Sequence, residues 1–374
     1  MDRPIQSSSI MLHFSILPDP RKQRNQLYPL HDIISTAILA TLCSIDDYYG
    51  MSDWTEDNLD WLQSVGICLA GAPSHDTYER FFKHLNSKAF QLCFTRWTQS
   101  IAQAFKGVIA IDGKTLCNSG DEQTDPIHIV SAFAAENSLV LGHQKCSGKG
   151  KELEAIQQLL EILDIRGAII TIDAAGCHKV ITSQIREKGG DYQIALKGNQ
   201  EKLHDEVVNF FNQACILTPE EADCDYWCSE ETLRGRKEKR EVWSCDCLDW
   251  LPQRDLWCDL NSIVCIAKTK LEKGQTTKET RYFISSLPAN AERQGKAVRS
   301  HWGIENQLHW HLDVTFREDK NRVRAGNGAE NLSVLRRSTL NLLKVDKSTK
   351  VSLKNKRLKA GRKSDYLLSL IGVK

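Results

Sequence analysis

The chain has 374 residues, long for one core, so two or three folding units are expected. Its 49 Lys and Arg against 48 Asp and Glu give a net charge of +1, so any nucleic-acid surface must come from local patches, not global charge. The longest apolar run, Ile33–Cys43, is too short to span a bilayer and no secretory leader pattern opens the chain. A cytoplasmic protein is expected, with its thirteen cysteines as reduced thiols in core-like segments.

Residues 1–105 read as a helical N-terminal domain. Pro29 opens an apolar stretch that runs through Leu42, and Ser74 is placed to cap the helix in SHDTYERFFKHL. The next helix, Ser87 to about Phe105, carries Phe90, Cys93, Phe94 and Trp97 on one face. Arg80, Lys83, His84 and Arg96 lie on or beside these helices, as a DNA-binding head requires.

From Gly107 strands and helices alternate: Val108–Asp112, Ile127–Ala135, Leu139–Gln144, a helix Lys151–Leu163, Ala168–Asp173, a helix His178–Lys188 and a strand Tyr192–Leu196. This order implies an α/β domain over 106–374, a mixed sheet with helices on its faces. A β-rich insertion is expected at about 215–290: two arms in WCSEETLRGRKEKREVWSC, then strands Ser262–Lys270 and Thr280–Ser286. Within it Cys224, Cys228, Cys245 and Cys247 have irregular spacings and no histidine among them, so they read as thiols before zinc ligands. Helical pattern resumes through Asn341, and a basic tail at about 344–374 reads as a phosphate-binding arm or a solubilising end.

Three carboxylates carry the chemistry. Asp112 in GVIAIDGK and Asp173 in GAIITIDAAG each end a run of β-branched and small residues, so each is delivered by a buried strand to a sheet edge. Glu305 lies in HWGIENQLHW, a helical stretch. Acids gathered this way repel one another and stay ionised cheaply only beside cations, which points to Mg²⁺, with Mn²⁺ fitting equally, and to phosphoryl transfer on nucleic acid. In a two-metal site Asp112 would bridge, with Asp173 on one ion and Glu305 on the other. Asp313, Glu318 and Asp319 are rival third ligands.

Around Glu305, Trp302 and Trp310 stand among Arg299, His301, His309, Arg317, Arg322 and Arg324. Such a mixture suits a groove where aromatics stack on unpaired bases and cations reach phosphates; the competing reading is a buried helix with core tryptophans. Lys197 and Asn199, in LKGNQ, are placed near a helix N-terminus where a phosphate binds. Lys114, beside the first acid, and Arg236, in the basic segment of the insertion, complete the set expected to contact DNA.

The segments HFSILPDPRKQRNQLYPLHDII, PSHDTYERFF, AIDGKTL, TIDAAGCHK, ALKGNQ and SHWGIENQLHWHLDVTFREDKNRVR, in this order, resemble the DDE transposases of bacterial insertion sequences, in the branch of the H-repeat-associated proteins. The resemblance implies a ribonuclease H-like core with a β-rich insertion and Mg²⁺-dependent strand cleavage and strand transfer at terminal inverted repeats. It further implies Asp112, Asp173 and Glu305 as catalytic metal ligands, and as partners double-stranded DNA at the repeats and at a target. A homodimer on paired ends, nucleoid-associated when acting, goes with that activity. At the offsets where the wider group often has Tyr, Arg and Lys, this chain has Val298, His301 and Leu312; Arg299 is the nearest replacement for the arginine. Glu152 matches a recurrent acidic position. An active enzyme is expected; the alternative is a DNA-binding remnant of a mobile element that no longer cleaves.

Overall fold

The computed structural model describes residues 10–372 apart from 23, 25, 103–106, 147, 149, 215–220, 222 and 234. Before the first strand come α1 (Ile10–Phe14), α2 (Leu30–Leu42), α3 (Tyr48–Asp57), α4 (Leu59–Ser64), α5 (His75–His84) and α6 (Ser87–Ile101). Phe90, Cys93, Phe94 and Trp97 are buried on α6, as their period predicts; the expected continuation to Phe105 lies outside the described residues.

The sheet consists of β1 (Val108–Thr115), β2 (His128–Ala134), β3 (Leu139–Lys145), β4 (Ile169–Ile172), β5 (Asp191–Leu196), β6 (Asp225–Leu233), β7 (Arg236–Cys245), β8 (Ser262–Glu272) and β9 (Gln275–Ser285). Its order is β3-β2-β1-β4-β5-β9-β8-β7-β6. β1 to β3 form an antiparallel meander, and β4 and β5 join parallel to β1 through crossover helices α7 (Glu152–Ile162) and α8 (Lys179–Glu187). This is the mixed ribonuclease H-like arrangement. β4 is isoleucine-rich because helices cover both faces of the sheet there. The insertion strands do not form a separate body: β9 pairs antiparallel with β5, Gln193 opposite Ser285, so they extend the same sheet.

On one face lie α7, α8 and α9 (Glu201–Ala214), with Leu159, Ile185 and Val207 in the core. On the other, α10 (Ala291–His301) crosses β1 and β4, and α11 (Gly328–Val345) is buried along nearly its whole length against α2, α5 and α6. A helix apolar or buried on every side belongs in the middle of a layer. The helices of 1–105 therefore share one core with the C-terminal helices and have none of their own.

The stretch expected as a basic tail is folded into that layer as α12 (Leu353–Ala360) and α13 (Ser364–Leu370). Arg357 is buried, donates to the Thr41 carbonyl from Nε at 3.1 Å and Nη2 at 2.7 Å, and pairs with Asp46 at 2.8 Å. Its guanidinium also lies 4.3 Å over the Phe316 ring. Lys356 donates to the Leu343 carbonyl at 2.8 Å and pairs with Asp346 at 3.1 Å. These cations satisfy carbonyls at the C-terminal ends of α2 and α11, which composition alone cannot distinguish from a solvated charge run. None of the described helices is long and apolar enough to cross a membrane.

Replacing Arg357 by Ala would leave the Asp46 carboxylate and the Thr41 carbonyl without this partner, at a cost of about 3 kcal/mol or more. Urea denaturation is expected to show that loss, and deletion of 353–374 a larger one; unchanged midpoints would mean that this segment is a tail after all.

Candidate metal centre

β1 and β4 run parallel with Ile111 opposite Ile172, so the next residue of each strand, Asp112 and Asp173, emerges side by side at the same sheet edge. Asp173 begins a tight turn, its carboxylate accepting from the Ala175 amide at 3.1 Å. On the far face of β1, Gly113 leaves room for His128 and Glu152, which pair at 2.6 Å; a Cβ there would stand 2.4 Å from His128 Nε2.

Glu305 comes from a different kind of element. After α10 the chain winds into two π-helical segments, Glu305–His309 and His311–Thr315. Ile304, Leu308, Leu312 and Phe316, all fully buried, recur every four residues. On an α-helix such a row drifts by about 40° per step, and the wider π turns bring it back onto one stripe. The neighbouring row, Glu305, His309 and Asp313, is thereby aligned too, and faces the sheet edge. One oxygen of Asp112, one of Glu305 and a nitrogen of His309 lie within 4.8 Å of one another. His309 Nδ1 is 3.4 Å from Glu305 and 3.8 Å from Asp112.

Electrostatics separate these acids from their rivals. Lys114, two residues beyond Asp112 on the same face of β1, is buried and pairs with Asp313 at 2.7 Å and Asp319 at 2.9 Å. Burial works against its charge, but the bonds to Asp313 and Asp319 and the Glu318 charge outweigh it and hold the ammonium above its usual range. Glu318 is buried against Arg337 at 3.0 Å. All three rivals are thus compensated. Among the described residues no Lys or Arg forms an ion pair with Asp112 or Glu305, and the only partner within range is His309. Burial pushes the Asp112 carboxyl up to about 8, and the Glu305 and Asp173 charges push the same way. Burial holds His309 down to about 4 against the pull of Glu305, so its ring is neutral at pH 7 and offers no compensating charge. The cluster itself offers two carboxylate oxygens and one ring nitrogen, with Asp173 outside it but near enough for its charge to act on Asp112, and such a donor set without a Lys or Arg fits a divalent ion such as Mg²⁺ or Mn²⁺.

Comparison with known proteins identifies the chain. A family model described as "Transposase DDE domain" matches residues 103–342, and one described as "DDE_Tnp_1-associated" matches residues 11–98. The chain belongs to the DDE transposase family. Similar proteins include "H repeat-associated putative transposase YhhI" of Escherichia coli (strain K12), 37% identical with 97% of each chain covered. "Putative transposase YncI" of Escherichia coli O157:H7 is 36% identical, over 96% of this chain and 93% of its own. A cryo-EM structure of the piggyBac transposase synaptic complex with hairpin DNA aligns over 98% of this chain and 78% of that one, at 11% identity and a TM-score of 0.45.

In this DDE family member the other residues picked from sequence fall into three groups. Lys197, His301 and Trp302 line a small cavity of about 150 Å³ beside Asp173. His301 is held to Thr171 Oγ1 at 3.0 Å, and burial lowers its pKa against the pull of Asp173. Asn199 donates to the Ala174 carbonyl at 2.7 Å and so braces the Asp173 turn. Arg236, Arg299 and Trp302 border a larger cavity of about 600 Å³ between the insertion strands and α10, where Arg299 pairs with Glu231 at 2.5 Å and Arg236 with Glu238. Trp302 and Trp310 are 42% and 52% exposed, which sets aside the reading of both as core, and Arg281 lies 4.8 Å over the Trp302 ring. Arg317 and Arg322 line a third cavity, away from the acids.

Of the residues expected to contact DNA, His309 faces Asp112 and Glu305, and Lys114 pairs with Asp313 and Asp319. Both had a signal: His309 follows Glu305 by four residues, and Lys114 follows Asp112 by two on a strand, hence on the same face.

Because the folded-state pKa of Asp112 is raised, its ionisation destabilises the metal-free fold progressively as pH climbs from about 4, the unfolded value, to about 8. Asp112→Asn is therefore expected to raise the metal-free melting temperature by about 2–4 °C at pH 8.5 and by much less at pH 5. A gain independent of pH, read by calorimetry, would contradict this placement of the carboxyl.

Proposed function

We propose that this transposase family member cleaves DNA and transfers the cut strands at the terminal inverted repeats of an insertion sequence, with Asp112, Asp173 and Glu305 as the catalytic acids. The single observation that carries the reading is the charge allocation: of the acids gathered at this sheet edge, the rivals have a Lys or Arg and Asp112 and Glu305 do not. Asp112, Asp173 and Glu305 would hold Mg²⁺ or Mn²⁺, which when bound activates an attacking oxygen and stabilises a leaving one.

The chain's own residues do the rest. The turn after β4, braced by Asn199, orients Asp173. The buried row from Ile304 to Phe316 fixes the direction from which Glu305 approaches. Neutral His309 adds a ring nitrogen beside both carboxylates without adding charge. Exposed Trp302 and Trp310 supply faces for unpaired bases, while Lys197, Arg236 and Arg299 border the adjoining cavities where a strand's phosphates would lie. The helices of 1–105 present Arg80, Lys83, His84 and Arg96 at the surface, and we assign them to duplex contact.

The reading is tested on a labelled duplex carrying the flanking inverted repeat. Wild type is expected to nick it with Mg²⁺ or Mn²⁺ and not with EDTA. In Glu305→Gln nicking should fall at least about 100-fold, since a lost ligand removes several kcal/mol of charge stabilisation, while duplex affinity stays within about threefold. Binding without nicking in either metal would favour the non-cleaving remnant.

A further inference from the structure

We propose that the third cavity, of about 730 Å³, between α3, α5 and the segment following the π-helical turns, is a binding site for a phosphate group, with Arg336 and Tyr48 at its base. Arg317, Lys320, Arg322 and Arg324 form one wall. Behind them Arg336, on α11, is 3% exposed, yet its Nε has no hydrogen-bond partner. The one carboxylate in ion-pair range among the described residues is Glu318, 4.0 Å away and already paired with Arg337 at 3.0 Å. A guanidinium taken out of water that shares its two nearby carboxylates, Glu318 with Arg337 and Asp46 with Arg357, is costly unless a further anion reaches it. Tyr48 adds a second donor: its ring is buried and its Oη, too, lacks a partner.

Three acids also line the cavity, and two are already engaged. Asp46 is paired with Arg357 at 2.8 Å, and Asp47 accepts from the Gly50 amide at 2.9 Å. Glu79 is exposed on α5. At the mouth Tyr49, 65% exposed, stacks on His75 with ring centroids 4.1 Å apart. A rim of cations, a buried donor pair and an exposed aromatic are what a tetrahedral oxyanion on a larger molecule would meet. The phosphate belongs either to a DNA backbone or to a free phosphate compound; only the DNA source rests on the strand-transfer reading.

The test is thermal unfolding in EDTA at constant ionic strength, with inorganic phosphate replacing chloride. Wild type and Glu305→Gln are expected to gain about 3 °C or more. Arg336→Gln should lose most of that gain and Tyr48→Phe a good part, which separates site binding from the general stabilising effect of phosphate. Tyr48→Phe removes only an unpartnered hydroxyl and is expected to fold; with Arg322→Ala it carries the test if Arg336→Gln does not. An unaltered gain in Tyr48→Phe and Arg322→Ala, or none in wild type beyond chloride, would overturn the site. A parallel titration with a 20-base-pair duplex lacking the repeat identifies the source: about tenfold weaker binding by the variants means a DNA phosphate, and unchanged binding with the phosphate effect lost means a free phosphate compound. Retention of the phosphate effect in a protein that never cleaves would leave this site standing while the strand-transfer reading fell.

Discussion

Lys114 stands two residues beyond Asp112 on the same strand face, and its ammonium is committed to Asp313 and Asp319. The rest of the site follows from that commitment. With Arg337 holding Glu318, the negative charge around this sheet edge divides into a neutralised set and a set with only a neutral imidazole for company. Burial then raises the Asp112 carboxyl to about 8, a cost that a divalent cation would remove.

The layer behind the site explains how it can be held. Glu305 belongs to a stretch whose opposite side is the buried row from Ile304 to Phe316, and that row packs with helices from both ends of the chain. Arg357 ties the C-terminal segment to the end of α2 and also donates to the Thr315 carbonyl at 2.5 Å, at the close of the second π segment. The element carrying the third acid is thus anchored by residues from the first fifty and the last twenty-five positions, and a displacement of either would be felt at Glu305.

The strands were legible because their chemistry is local: isoleucine and valine runs ending in Asp112 and Asp173 announce buried strands, and alternation with helices announces the crossovers that make them neighbours. The insertion was legible as antiparallel, though not its pairing of β9 with β5, which depends on contacts some ninety residues apart. What failed to show depends on tertiary partners. Lys356 and Arg357 look like a solvated charge run until the carbonyls of α2 and α11 are set against them. Spacing alone leaves Glu305, Asp313, Glu318 and Asp319 level, since all four lie within fifteen residues; they differ in whether a Lys or Arg meets them. The four-residue recurrence from Ile304 to Phe316 was present in the sequence, and a 3.6-residue period hid it.

The most direct test is a crystal of the protein soaked in Mn²⁺, with anomalous scattering used to locate the ion. The expected result is a peak coordinated by Asp112 together with Asp173, Glu305 or both, with Lys114 still bridging Asp313 and Asp319. A peak at Asp313 or Asp319 with Lys114 displaced, or none near Asp112 at saturating metal, would contradict the division of charge on which this site is built.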